Sequence, residues 1–151
     1  MGDRLAHLRA ARAALQRYEI DVLRASSVYE TAPQGDALVQ GDYLNACVEV
    51  ETEFDPEALL DVCKAIESAE GRDPDAAHHA PRTLDIDLLL LDGRELDSER
   101  LRLPHPDILE RRFVLEPLLE LDPQLRLPDG TVLAQALARV RDQRVERFGE
   151  L

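Results

Sequence analysis

Residues 43–71 read YLNACVEVETEFDPEALLDVCKAIESAEG, and a change of period inside this stretch decides the fold class. In the first half Leu44, Ala46, Val48 and Val50 alternate with Asn45, Glu49 and Glu51, the two-residue period of a half-buried strand. At Asp55-Pro56 a capping side chain precedes a proline suited to a first helical turn. Leu59, Leu60, Val62, Cys63 and Ile66 then follow at helical spacing, and Gly71 is placed to end the helix.

Working outward, Leu5, Leu8, Ala11 and Leu15 predict a helix from an Asp3 cap to about Tyr18. Residues 21–31 read as a strand leading into the turn-rich APQGDALVQGD at 32–42. Downstream, RDPDAAHHAPR (72–82) reads as an irregular loop, and TLDIDLLLLDG (83–93) as a strand closed by an Asp92-Gly93 turn. LRLPHPDILERRFVLEPLLELDP (101–123) holds short turns and a helix, Pro128-Asp129-Gly130 is a further turn, and TVLAQALARV (131–140) is a last helix. This order predicts an α+β sandwich: a mainly antiparallel sheet with helices packed on one face, and a helical C-terminal extension. There is no internal repeat or linker, so residues 1–151 are read as one domain.

The bulk numbers agree with that reading. A chain of 151 residues that is 44% hydrophobic and 32% charged can bury a core without disulfides or a structural metal. The net charge of −13 disfavours nucleic acid and anionic membrane as partners. Lys64 is the only lysine among 18 basic residues, and the arginine fork suits phosphate oxygens. Cys47 and Cys63 stand too far apart for a CxxC motif and are expected as buried free thiols. The N-terminus lacks a signal-peptide apolar run and no segment is long enough to span a bilayer, so the expectation is a cytoplasmic protein.

The sharpest chemical feature is Asp85 and Asp87 in PRTLDIDLLLL. Two apart on a strand, they share a face opposite Leu84, Ile86 and Leu88. Side-by-side carboxylates repel unless a cation lies between them, and Mg²⁺ takes one or two carboxylates together with phosphate oxygens and water. A solvated strand face is the alternative for a bare DxD. Arg72, Arg82, His105, Arg111 and Arg112 lie in irregular sequence and suit phosphate binding, although Arg112 by itself reads as a surface residue. Tyr43 and Asn45 share a strand face, and with Phe113 they offer rings and an amide to a flat heterocycle; core packing is the plainer reading of either ring alone. No Walker or GxGxxG loop is present. A zinc site at His78, His79 and His105 has unsuitable spacing.

Taken together, SSVYETAP, QGDYLNA, the IE…GR helix end, PRTLDIDLLL, LPHP and RRFVLEPLLELDP occur in an order that resembles the 6-hydroxymethyl-7,8-dihydropterin pyrophosphokinases, over about Ser26 to Gly130. The resemblance implies a ferredoxin-like α+β fold and transfer of pyrophosphate from ATP to the pterin hydroxymethyl group. It further implies that Asp85 and Asp87 hold two Mg²⁺ ions. Thr31, Tyr43, Asn45 and Phe113 would then form the pterin pocket, and Glu67, Arg72, Arg82, His105 and Arg111 would line the ATP side. Arg72 and Arg82 are implied to act in catalysis alongside the aspartates, in a monomer whose partners are ATP and a pterin.

The sequence departs from the family pattern in two places. Of a first strand and GSNLGD-like turn only Gly2-Asp3 matches, so the central first strand of a ferredoxin-like sheet is missing; the expectation is a start further upstream, with a truncated form as the alternative. The 72–82 loop carries His78 and His79 where family loops carry further basic residues and an aromatic, so the two histidines are expected to supply part of the lid contacts. These departures motivate a second reading, a non-catalytic pterin- or nucleotide-binding relative. A metal-dependent phosphate hydrolase using the same DxD is a third.

Overall fold

The computed structural model describes residues 4–31, 43–71 and 84–151. Helix α1 (Arg4–Arg17) is followed by strands β1 (Asp21–Ala25), β2 (Ser27–Thr31), β3 (Tyr43–Asn45) and β4 (Val48–Glu51), and then by helix α2 (Pro56–Ala69). Two short strands come next, β5 (Leu96–Asp97) and β6 (Arg102–Leu103), with a 3₁₀ turn at Ile108–Glu110. Helices α3 (Arg112–Leu121) and α4 (Leu133–Arg139) and strand β7 (Val145–Glu150) complete the chain. Every strand pairing among the described residues is antiparallel, and the class is α+β as expected.

The two long strands predicted at 21–31 and 43–54 each divide, at Ser26 and at Ala46-Cys47. β1 pairs with β4 and β2 pairs with β3, so two ladders replace one. Between them Ser26 N–H donates to Cys47 O at 2.8 Å, and Ser26 Oγ accepts Cys47 N–H at 2.9 Å. The pairing therefore continues through an irregularity instead of ending, because the buried Ser26 hydroxyl supplies the acceptor that a slipped register would otherwise remove.

Two apolar clusters lie on either side of this strand pair. Val22, Val48 and Val50 join Ala11, Ala14 and Leu15 of α1 and Leu59, Val62 and Ile66 of α2. Cys47, of opposite parity, joins Leu115 and Leu118 of α3 with Leu133 and Ala136 of α4. Helices thus cover both sides, which corrects the single covered face expected above. The physical reason is parity: successive strand residues point to opposite sides, and both Cys47 and Val48 find apolar partners.

Segment 84–90 also departs from expectation. Its alternation is real, with Leu84 buried, Ile86 and Leu88 half-buried in the first cluster, and Asp85 and Asp87 exposed. Leu89 and Leu90 then turn to the second cluster. Yet no ladder among the described residues includes 84–90, which is extended chain without a strand partner among them. Alternation fixes which side chains are buried, but a strand also needs a neighbour's backbone groups. The Asp92-Gly93 turn forms as predicted, with φ of 39° and 72° and Arg94 N–H donating to Leu91 O at 2.7 Å.

Strand β7 was not predicted; the C-terminus was expected to be helical. It lies against β2 on the side away from β3, giving the order β3-β2-β7. Helix α2 forms as read: Asp55 Oδ1 accepts Ala58 N–H at 2.9 Å, Pro56 occupies the first turn, and Gly71 leaves the helix at φ 109°. The Asp3 cap lies outside the described residues, and no described helix is long and apolar enough to cross a membrane.

Candidate active site

Three elements present the predicted site residues. The first is the 84–90 segment. Asp85 and Asp87 both reach solvent while the intervening Ile86 turns inward. Its amide N–H donates to Glu67 Oε2 at 2.6 Å. Glu67 is only 2% exposed, on the inner face of α2, with Lys64 Nζ 3.7 Å from its other oxygen. A carboxylate accepting a backbone N–H is a charge-assisted bond, stronger than a neutral one. It takes the place of a ladder bond in tying this segment to α2. Nearby Cys63 is pushed up to about 11 by burial and then by the charges of Glu67 and Asp87, less the opposing charge of Lys64.

The donor set fits magnesium. Two exposed carboxylates are a set that Mg²⁺ takes together with water and phosphate oxygens, whereas zinc sites gather three or four His, Cys or carboxylate ligands. Among the described residues no group of three or more such side chains is placed to share a metal.

The second element is the β2–β3 pair. Thr31, 6% exposed, lies directly opposite Tyr43, and Tyr29 lies opposite Asn45. Asn45 Nδ2 donates to Thr31 Oγ1 at 3.0 Å, which fixes the amide's orientation. Tyr43 keeps 44% of its surface exposed, as Tyr18, Phe54 and Phe148 do to a similar degree, which leaves its ring open to a stacking partner.

The third element is the 105–113 turn and the start of α3. His105 N–H donates to Leu89 O at 2.8 Å, which ties the turn to the end of the aspartate segment. His105 Nδ1 accepts Asp107 N–H at 3.1 Å, so the neutral ring carries its proton on Nε2. Arg111 pairs with Asp107 at 3.0 Å and lies 5.6 Å from the Phe113 ring centroid, a cation–π distance. Helix α3 packs on β2 and β3, which brings the element bearing Phe113 onto the strands bearing Tyr43 and Asn45.

Arg112, read from sequence as a surface arginine, is half-buried and holds backbone. It bonds Glu116 at 3.0 Å, Arg141 O at 2.9 Å and Gln143 O at 2.7 Å, holding the entry to β7. Arg72, Arg82, His78 and His79 lie outside the described residues. An open cleft of about 530 Å³ is lined by Arg12, Arg24, Ser27, Glu120 and Leu151 among others, and among the described residues none of the predicted site residues borders it.

Sequence reading missed one polar cluster. Glu120, near the end of α3, accepts Ser27 N–H at 2.8 Å, Ser27 Oγ–H at 3.0 Å and Tyr29 Oη–H at 2.6 Å. Its three donors lie more than ninety positions away in the chain, and nothing local distinguishes Glu120 from the other acidic residues of this acidic protein.

With the geometry described, the relationships are specific. The 7,8-dihydro-6-hydroxymethylpterin-pyrophosphokinase family model matches residues 1–123. A 2-amino-4-hydroxy-6-hydroxymethyldihydropteridine pyrophosphokinase of Methylorubrum extorquens is 42% identical over 128 residues, 85% of this chain and 79% of its own. The Bacillus subtilis enzyme of the same name is 40% identical over 126 residues, 83% of this chain and 74% of its own. That of Pseudomonas aeruginosa is 39% identical over 142 residues, 93% of this chain and 86% of its own. Relatives of these names are pyrophosphokinases, that is, ATP-dependent diphosphotransferases, and this is the class in which the chain falls. The chain belongs to the 7,8-dihydro-6-hydroxymethylpterin-pyrophosphokinase family. Its fold is accordingly of the ferredoxin-like α+β kind.

Proposed function

We propose that the chain transfers the β,γ-pyrophosphoryl group of ATP to the hydroxymethyl oxygen of 6-hydroxymethyl-7,8-dihydropterin, in folate biosynthesis. A bond forms between that oxygen and the β-phosphorus, and the bond from the β-phosphorus to the α,β-bridging oxygen breaks. AMP leaves with the bridging oxygen, and the hydroxyl proton passes to Asp85 or Asp87. The observation that carries this reading is the exposed Asp85/Asp87 pair, inside the family-matched span and held from behind by Glu67.

Asp85 and Asp87 are the proposed ligands of two Mg²⁺ ions, which when bound neutralise charge on the phosphates and the leaving oxygen. Tyr43 and Phe113 stack on the pterin, and Asn45, oriented by Thr31, hydrogen-bonds it. Arg111 and the Nε2–H of His105 face the ATP phosphates, with Arg72 and Arg82 contributing from the neighbouring loop. Glu67, assigned by resemblance to the ATP side, supports the site through its bond to Ile86. The enzyme acts as a monomer in the cytoplasm.

Incubating the chain with ATP and the hydroxymethyl pterin, with Mg²⁺ present or chelated, tests the reading. It predicts AMP formation that requires both the pterin and the metal. A binding-only relative would give no AMP, and a phosphate hydrolase would release phosphate without the pterin.

A further inference from the structure

Glu120 stands outside the machinery described so far, yet it joins the two halves of the proposed pterin pocket. One half is β2 with β3, where Tyr29 faces Asn45 and Thr31 faces Tyr43. The other is α3, which starts at Arg112-Phe113 and ends at Glu120-Leu121. Glu120 lies about two helical turns beyond Phe113 on the same rigid element.

Its carboxylate accepts from two residues of β2. Oε2 takes Ser27 N–H at 2.8 Å and the Ser27 hydroxyl at 3.0 Å, while Oε1 takes the Tyr29 hydroxyl at 2.6 Å. The direction of the chain is set from outside: Arg147 Nε of β7 donates to Ser27 Oγ at 2.9 Å, so the serine proton must point at Glu120. Ser27, Tyr29 and Thr31 share one side of β2, since they lie two apart. The clamp therefore grips the strand at two points on the side that also bears Thr31, and Thr31 is the residue that orients the Asn45 amide.

We propose that Glu120 is a positioning residue for pterin capture: it fixes the distance between the strand pair that presents Tyr43 and Asn45 and the helix that presents Phe113. A flat ligand held between two rings is sensitive to that spacing, because dispersion and stacking fall away within an ångström of extra gap. None of the clamp's own hydrogen bonds involves the 84–90 segment, the 105–111 turn or α2, which line the ATP side. This proposal rests on the pterin reading given above.

Two variants test it, Glu120→Ala and the milder Tyr29→Phe, which removes one donor and keeps the ring. Pterin affinity and the affinity of a non-hydrolysable ATP analogue are measured by calorimetry, together with hydrogen exchange of the β3 amides. Glu120→Ala should weaken pterin binding about tenfold, and Tyr29→Phe by about threefold, with ATP-analogue affinity unchanged and β3 exchange accelerated. Unchanged β3 exchange, unchanged pterin affinity in both variants, or equal losses for pterin and analogue would each overturn it. If Glu120→Ala does not fold, Tyr29→Phe alone decides by the same criteria. A wild-type chain that binds the analogue but no pterin removes the functional reading itself, and this proposal with it.

Discussion

Glu67 Oε2 accepts the N–H of Ile86 at 2.6 Å, so a buried carboxylate on α2 holds the backbone of the one residue that lies between Asp85 and Asp87. The relationship explains how a segment without a ladder partner among the described residues keeps two like-charged side chains in register. The apolar side of the segment is fixed by Leu84, Ile86 and Leu88 in the core, and its backbone by Glu67.

Glu67→Ala should destabilise the fold by about 1–3 kcal/mol, since the Ile86 amide loses a buried acceptor, and should lower turnover by about 100-fold through misplaced aspartates. Glu67→Gln keeps an acceptor oxygen and should recover most of the stability. Urea unfolding of the two variants, alongside their Mg²⁺ dependence of AMP release, checks both statements.

Removing the α2 cap separates stability from chemistry. Asp55 accepts Ala58 N–H at 2.9 Å and bonds none of the proposed site residues among those described. Asp55→Ala should cost about 1 kcal/mol in denaturant unfolding while leaving turnover of the folded protein unchanged.

The two thiols should be silent near neutrality. Burial, followed by the charge of Glu120, pushes Cys47 up to about 12, and burial with Glu67 and Asp87 pushes Cys63 up to about 11. The thiolate is the reactive form, so Ellman's reagent at pH 8 should report both cysteines only after denaturation. Both folded values lie above the ordinary 9.0, so the folded chain retains protons that the unfolded chain releases. The stability this contributes is complete below pH 9 and is lost as the pH rises through 11 to 12, which an alkaline unfolding series would show.

Much of the frame was legible because local signals and burial agreed. Asp55-Pro56 began α2 and Gly71 ended it, Asp92-Gly93 turned, and the Asp85/Asp87 side of its segment faced solvent. Strand β7 was not legible, because VERFGE has no apolar alternation and its pairing with β2 shifts register between Arg147 and Gly149. It forms through backbone pairing to β2, a tertiary cause. The breaks at Ser26 and Cys47 were hidden for a similar reason, since a slipped register repaired by a serine hydroxyl leaves no mark in hydrophobic pattern. The pterin-side pairing of Thr31 with Asn45 followed only in outline from resemblance, and Glu120 not at all, because its partners are distant in sequence.

The central claim is that Asp85 and Asp87 form the metal-binding centre of a pterin pyrophosphokinase. The most direct measurement is Mg²⁺-dependent AMP formation from ATP and the hydroxymethyl pterin by the wild-type chain, Asp85→Asn and Asp87→Asn. Both side chains are exposed, so each variant should fold with wild-type stability and lose about 100-fold or more in turnover. Folded variants that release AMP at the wild-type rate with the same Mg²⁺ dependence would contradict it.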